Sequence, residues 1–319
     1  MGKTAMAVYW GDKRYYSLDY YLKQTYGKKM YKISLNAGMT CPNRDGTVGK
    51  RGCIFCSAGG SGDFAADRRL SITEQIEAGK AQAGAKYSGN SYIAYFQAYT
   101  NTYAPVPYLR KVFTEALEHP DIRILDIATR PDCLGTEVLE LIKEISEAKP
   151  VWIELGLQTI HPETAEFIRR GYELSVFEQA VSNLRAMSIP VIVHTILGLP
   201  GEGNDHFLAT VTYLNSLDIQ GVKFQLLHIL KHTDLADYYR EHPFHLPDME
   251  EYYEMLGRAL CTLRPDITVH RLTGDGPKSL LIAPLWTGNK RRVLNGLHAY
   301  LKEHDIWQGK EYLEEADEI

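Results

Sequence analysis

The chain has 319 residues, of which 45% are hydrophobic and 24% charged, and a formal net charge of −5. That length allows a large buried core, and no apolar run approaches the roughly 20 residues a membrane-spanning helix needs. A net negative charge argues against binding nucleic acid through a global positive field.

The first thirty residues lack the apolar stretch of an export leader, so a cytoplasmic location is expected. From Tyr31 onward, short β-branched or aromatic runs alternate with helical patterns. In chain order they predict a strand over Tyr31–Asn36, a cysteine-bearing loop over 37–57, and a helix over Ile72–Lys86 that Ser71 and Glu74 open as a capping box. A strand over Tyr92–Gln97 and a helix over Pro107–Glu118 come next, then a strand over Ile122–Thr129 and a helix over Thr136–Ala148. The strand Val151–Leu157 precedes a short helix, Pro162–Arg170, and a longer one, Ser175–Met187, where Ser175 and Glu178 read as a second capping box. Last in this series are a strand over Val191–Leu197, a helix over Asp205–Leu217 and a strand over Gly221–Ile229. Strands alternating with helices imply a parallel sheet with right-handed crossovers, as an open doubly wound sheet or a curved, incomplete barrel.

Beyond residue 230 the rhythm changes to an aromatic-rich helix, Met249–Leu263, a short strand near Ile267–Arg271, a final helix, Lys290–Glu303, and an acidic tail, Glu311–Ile319. We therefore divide the chain into an N-terminal segment (1–30), a core (31–229) and a C-terminal extension (230–319) that shapes the substrate site.

The expected strand ends are unusually polar: Asn36, Gln97, Thr129-Arg130, Glu154 with Gln158, His194-Thr195, and His228. Burying such groups is costly unless they are satisfied, and ligands of parallel α/β folds sit at that edge. The five cysteines are odd in number, which speaks against a disulfide framework, and Cys41, Cys53 and Cys56 crowd into one loop. Glycines at 46, 49 and 52 allow that loop to turn back on itself. Structural zinc wants four N or S ligands, whereas a four-iron cluster on three thiolates leaves one iron open to an amine and carboxylate. A fourth ligand from Cys133 would close the site, and zinc or a closed electron-transfer cluster remains an alternative. Neither a P-loop nor a dinucleotide-binding glycine fingerprint is present.

The pattern Cys41-x11-Cys53-Ile-Phe-Cys56, with Gln97-Ala-Tyr-Thr-Asn101, Thr129-Arg130-Pro-Asp, Glu154-Leu-Gly-Leu-Gln158 and His194-Thr-Ile-Leu-Gly198-Leu-Pro-Gly201, resembles the radical S-adenosylmethionine (SAM) superfamily. It is most similar to the branch near the Elongator catalytic subunit, in a small bacterial family. The resemblance implies an α/β fold, a partial (β/α)6 barrel with a C-terminal extension, and a 4Fe–4S cluster on Cys41, Cys53 and Cys56. It also implies SAM contacts from Phe55 (near the adenine), Gln97, Ala98 and Asn101 (methionine end), Thr129, Glu154, Gln158 and Arg169, and Leu197 with Gly198 (adenine). In this family a reduced cluster cleaves SAM to a 5′-deoxyadenosyl radical that removes hydrogen from a substrate carbon.

The same branch works on wobble uridine-34 of transfer RNA, so the expected reaction converts carboxymethylaminomethyl-uridine to aminomethyl-uridine. Arg130, Arg271 and Lys290 are candidates to hold the carboxylate. Trp286, Lys290, Arg291 and Arg292 could stack a base and contact phosphates, although Trp286 could equally pack the extension onto the barrel. The expected partners are tRNA and a flavodoxin- or ferredoxin-type electron donor, with no membrane. Two alternatives remain: a radical SAM enzyme acting on a small metabolite or peptide, and a non-enzymatic iron–sulfur or zinc module.

Overall fold

The computed structural model describes residues 9–60, 62–84, 87–274 and 276–312. Its strands are β1 (Tyr31–Leu35), β2 (Tyr92–Phe96), β3 (Ile122–Thr129), β4 (Val151–Gln158), β5 (Val191–Leu197), β6 (Gly221–Leu226), β7 (Ile229–Leu230), β8 (Thr268–Arg271) and β9 (Leu281–Ala283). The helices are α1 (Leu18–Tyr26), α2 (Pro42–Asp45), α3 (Ile72–Ala83), α4 (Val106–Glu118), α5 (Thr136–Ser146), α6 (Pro162–Phe167), α7 (Leu174–Ala186), α8 (Asn204–Asn215), α9 (Asp234–Glu241), α10 (Met249–Thr262) and α11 (Lys290–Glu303). The helix expected to reach Lys86 ends at Ala83, and Lys86 lies outside the described residues. So does most of the acidic tail.

Strands β1 to β6 pair in parallel in sequence order. The strand expected near Ile267–Arg271 extends the same sheet as β8, parallel to β6. Beyond β8 the chain just before α1 covers the edge: the Val269 amide donates to the Tyr16 carbonyl at 2.7 Å. The short strands β7 and β9 form a separate antiparallel pair.

Alternation along the strands separates two environments. One face carries Ile33, Leu35, Ala94, Phe96, Leu125, Ile127, Val151, Ile153, Leu155, Val191, Val193, Val222 and Phe224, all buried in the main apolar core with the surrounding helices. The other face begins as a small apolar layer, Ile93, Ile124, Trp152 and Ile192, closed from below by Leu22 of α1. One step further along the strands that inner face becomes polar.

Its hydrogen bonds show that the sheet is curled. Lys32 of β1 and Lys223 of β6 both bond Glu154 of β4. In a flat sheet β1 and β4 would stand about 14 Å apart, three steps of about 4.8 Å, too far for that reach. The expected incomplete barrel is therefore present, with a seventh strand. No helix among the described residues is long and apolar enough to cross a membrane.

Candidate functional site

The loop after β1 folds back as its glycines suggested. Gly46 and Gly52 adopt φ of +99° and +75°, a region L side chains resist. At Gly52 a Cβ would also stand 2.9 Å from Arg44 Nε. Arg44 donates to the carbonyls of Cys56 (3.0 Å) and Ser57 (2.6 Å). Asn43 Nδ2 donates to the Arg169 carbonyl at 2.6 Å and lies 3.6 Å from Cys53 Sγ. The outcome is that Cys41, Cys53 and Cys56 line one cavity of about 250 Å³.

Burial, then the neighbouring Cys56 thiolate, pushes the Cys53 thiol up to about 12, with Cys41 adding to the rise and Arg130 and Asn43 opposing it. A bound metal, like a neighbouring cation, would relieve this mutual repulsion of thiolates. Among the described residues no three His, Cys, Asp or Glu side chains are grouped closely enough to hold a single metal ion. Cys133 lines a different cavity, with Pro42, Val48, Thr102 and Gly135, and Cys261 is buried within α10.

Several residues expected to meet the cofactor line the same cavity as the cysteines: Phe55 from the loop and, at strand ends, Gln97, Thr129, Glu154 and Gln158, together with Arg130, expected to hold the substrate carboxylate. Arg271 joins them from β8. Other candidates have structural duties. Asn101 donates to the carbonyls of Phe96 (3.0 Å) and Ala128 (2.9 Å), tying the ends of β2 and β3 together. Arg169 pairs with Asp234, and Ala98 is buried away from the cavity lining. Leu197 lies in the main core, and Gly198 turns at φ +82° beside Pro247 and Leu226.

Arg130 lines the cavity but already grips Asp132 at 2.9 and 2.7 Å and donates to the Arg170 carbonyl at 2.8 Å. Lys290 is exposed on the first turn of α11, outside the cavity lining. Trp286 packs the C-terminal region: its Nε1 donates to the Pro247 carbonyl at 3.2 Å and its ring lies 5.2 Å from that of Tyr252.

The polar floor of this cavity went largely unread in the sequence. Glu154, fully buried, accepts from Lys32 at 2.9 Å and from Lys223, and bonds His194 Nε2 at 2.7 Å. Lys32 also pairs with Asp126, and Lys223 Nζ lies 3.2 Å from Tyr95 Oη. Burial alone would raise the Glu154 carboxyl, but Lys223, Lys32 and His194 hold it well below the ordinary range. Burial and the Glu154 charge push Asp126 up to about 7, against Lys32 and Lys223. Lys223 is pulled down to about 7 by burial, against Glu154. A signal existed: Lys32, Asp126 and Lys223 interrupt apolar strands at inward positions.

A model of the radical SAM superfamily matches residues 44–214, and one of the radical SAM C-terminal domain matches residues 219–303. The chain is 42% identical to the Bacillus subtilis protein YtqA over 94% of its own length and 93% of the relative's. It is 24% identical to the Methanocaldococcus jannaschii tRNA uridine(34) acetyltransferase, over 60% of this chain and 35% of that protein. The solved structure of the archaeal Methanocaldococcus infernus Elp3 lacking residues 1–46 is similar in fold. The TM-score is 0.67 at 14% identity, over 88% of this chain and 64% of that one.

Proposed function

Because the chain belongs to the radical SAM superfamily, we propose that it modifies wobble uridine-34 of transfer RNA, converting carboxymethylaminomethyl-uridine to aminomethyl-uridine. It is a radical SAM enzyme, and enzymes of this family use a 4Fe–4S cluster and SAM. Together, when bound, these cofactors supply abstraction of a hydrogen atom from an unactivated carbon.

The single observation that carries the chemistry is that Cys41, Cys53 and Cys56 line one cavity with the polar ends of β2, β3 and β4. The three cysteines would hold the cluster. Gln97, Thr129 and Gln158 offer amide and hydroxyl partners to the amino-acid end of SAM. Phe55 lines the cavity from the loop and packs with the cluster formed by Ile54, Ile168 and Leu235. Arg44 and Arg130 place positive charge beside the thiolates.

The wobble-uridine reading is supported by the partial sequence match to the tRNA uridine(34) acetyltransferase and the fold likeness to Elp3. It also suits the reaction: hydrogen abstraction from the methylene between amine and carboxylate would leave a carbon radical. Loss of one further electron, with SAM as the net two-electron oxidant, would give an imine that water hydrolyses to aminomethyl-uridine and glyoxylate. A flavodoxin- or ferredoxin-type protein would serve as electron donor. Mass spectrometry of tRNA nucleosides tests the proposal. Cells lacking the protein should accumulate carboxymethylaminomethyl-uridine at the expense of aminomethyl-uridine, and the intact chain, but not Cys53→Ala, should restore the product. An unchanged nucleoside profile on deletion would end the wobble-uridine reading.

A further inference from the structure

Two cations meet at the closed end of the cavity, and the backbone makes a special arrangement to put them there. β6 and β8 run in parallel, with Val222 opposite Val269 and Lys223 opposite Arg271, so His270 is an extra residue in the ladder. Without that bulge strict alternation would turn Arg271 to the same side as Val269, into the main core. With it, His270 faces the barrel interior, its ring 5.4 Å from that of Trp152, and Arg271 also reaches the cavity, across from Lys223. Bulges of this kind recur where a side chain must be re-aimed toward a site.

Lys223 is nearly inaccessible to solvent yet lines the cavity. An ammonium has three donors. One goes to Glu154 and one to Tyr95 Oη, which leaves a third for a guest. Below this level Ile93, Ile124, Trp152, Ile192 and Leu22 form an apolar layer, so the cavity ends at the level of Lys223 and Arg271, a level they share with Tyr95, Glu154 and His194. The cavity lining as a whole is cationic: Arg44, Arg130, Arg170, Lys223 and Arg271 against Asp63 and Glu154.

We propose that Lys223 and Arg271 form a carboxylate seat at the closed end of the cavity, which selects substrates carrying an acid at the tip of a short arm. This rests on the wobble-uridine reading for its substrate. In carboxymethylaminomethyl-uridine the carboxylate is bonded directly to the methylene that must lose hydrogen. Seating the acid on the two cations turns that methylene back toward the thiol-lined side of the cavity. Arg offers a planar pair of donors to a carboxylate, and Lys a compact charge.

The test uses reconstituted holoenzyme with SAM, dithionite as the one-electron reductant, and tRNA bearing either carboxymethylaminomethyl-uridine or aminomethyl-uridine. The wild type should convert the first and bind it more tightly than the second. In Arg271→Gln the KM for the acid-bearing tRNA should rise about tenfold or more, as expected for loss of a charge-assisted hydrogen bond. The KM for SAM should move far less, the preference for the acid-bearing tRNA should fall toward one, and Arg271→Lys should recover part of it. Lys223→Met should act in the same direction; if that variant does not fold, the Arg271 pair of variants decides.

Turnover by the wild type with an unaltered preference in Arg271→Gln overturns the seat and leaves the wobble-uridine reading standing. A raised KM for SAM with an unaltered KM for tRNA assigns the cations to the methionine carboxylate and overturns the substrate seat. No conversion by the wild type overturns the wobble-uridine reading, and this substrate class with it.

Discussion

Glu154 shows how a buried carboxylate is kept charged: three basic side chains converge on its two oxygens, so its ionised form is better satisfied than it would be alone. His194 bears the complementary strain. Burial, then the Lys223 charge, lowers its pKa from 6.5 to about 4 against the pull of Glu154, with Arg271 adding to the fall. Between those values the unfolded chain takes up a proton that the folded ring refuses, so stability is intact above pH 6.5 and declines as pH falls toward 4. Asp126, raised to about 7, acts in the opposite sense as pH rises from 3.8, so only a difference between variants isolates the histidine. Comparing holoproteins in urea at pH 7.5 and pH 5, the wild type should lose about 2 kcal/mol more than His194→Gln, from about 1.4 kcal/mol per pH unit. Equal losses would show that this ring does not set the acid response. The cysteines were legible in the sequence because their spacing is local; the Glu154 partners were not, because they come from β1, β5 and β6.

At the scale of elements, the support of the cysteine loop comes from the C-terminal region. Asp234, at the start of α9, accepts from Arg51 of the loop and from Arg169 after α6, and the Leu235 amide donates to the Ile54 carbonyl at 2.9 Å. Arg51 is largely exposed and adds little; the half-buried Arg169 pair carries more of the clamp. Asp234→Asn should destabilise this junction by about 1 kcal/mol, speed amide exchange over residues 50–57 and hasten iron loss in air. Unchanged exchange there would mean that α9 does not brace the loop. Local capping was partly legible. The Ser71–Glu74 box is present, whereas α7 starts at Leu174 with Glu173 as its cap, which places Ser175 inside the helix. Helices α1 and α9 went unread in the sequence although each carries a short stripe, Leu18, Tyr21, Leu22 and Tyr26 in one and Leu235, Tyr238 and Tyr239 in the other, built largely from half-buried tyrosines rather than aliphatic residues. Their caps were visible: Ser17 accepts from the Tyr20 amide and Thr233 from that of Ala236.

For the molecule as a whole, a net charge of −5 means that any grip on RNA must come from a local patch. The exposed first turn of α11, Lys290-Arg291-Arg292, is such a patch, beside Tyr253 and Asn295. Binding of tRNA should weaken with salt, and Arg291→Gln with Arg292→Gln should reduce the slope of log affinity against log salt by about 0.7 to 0.9 for each phosphate no longer neutralised. A slope that does not change would place the RNA elsewhere on the surface.

The alternation of apolar runs, the three-cysteine loop and the polar strand ends are properties of neighbouring residues, and they determined the parallel α/β fold and the position of the cysteine-bearing loop from the sequence alone. Which strand-end residues share a cavity, that Arg130 is already taken by Asp132, and that a one-residue bulge turns Arg271 beside Lys223 were decided only by the tertiary structure. Curl and register arise from pairings between segments far apart in the chain, and a shift of one residue moves a side chain from one face of the sheet to the other.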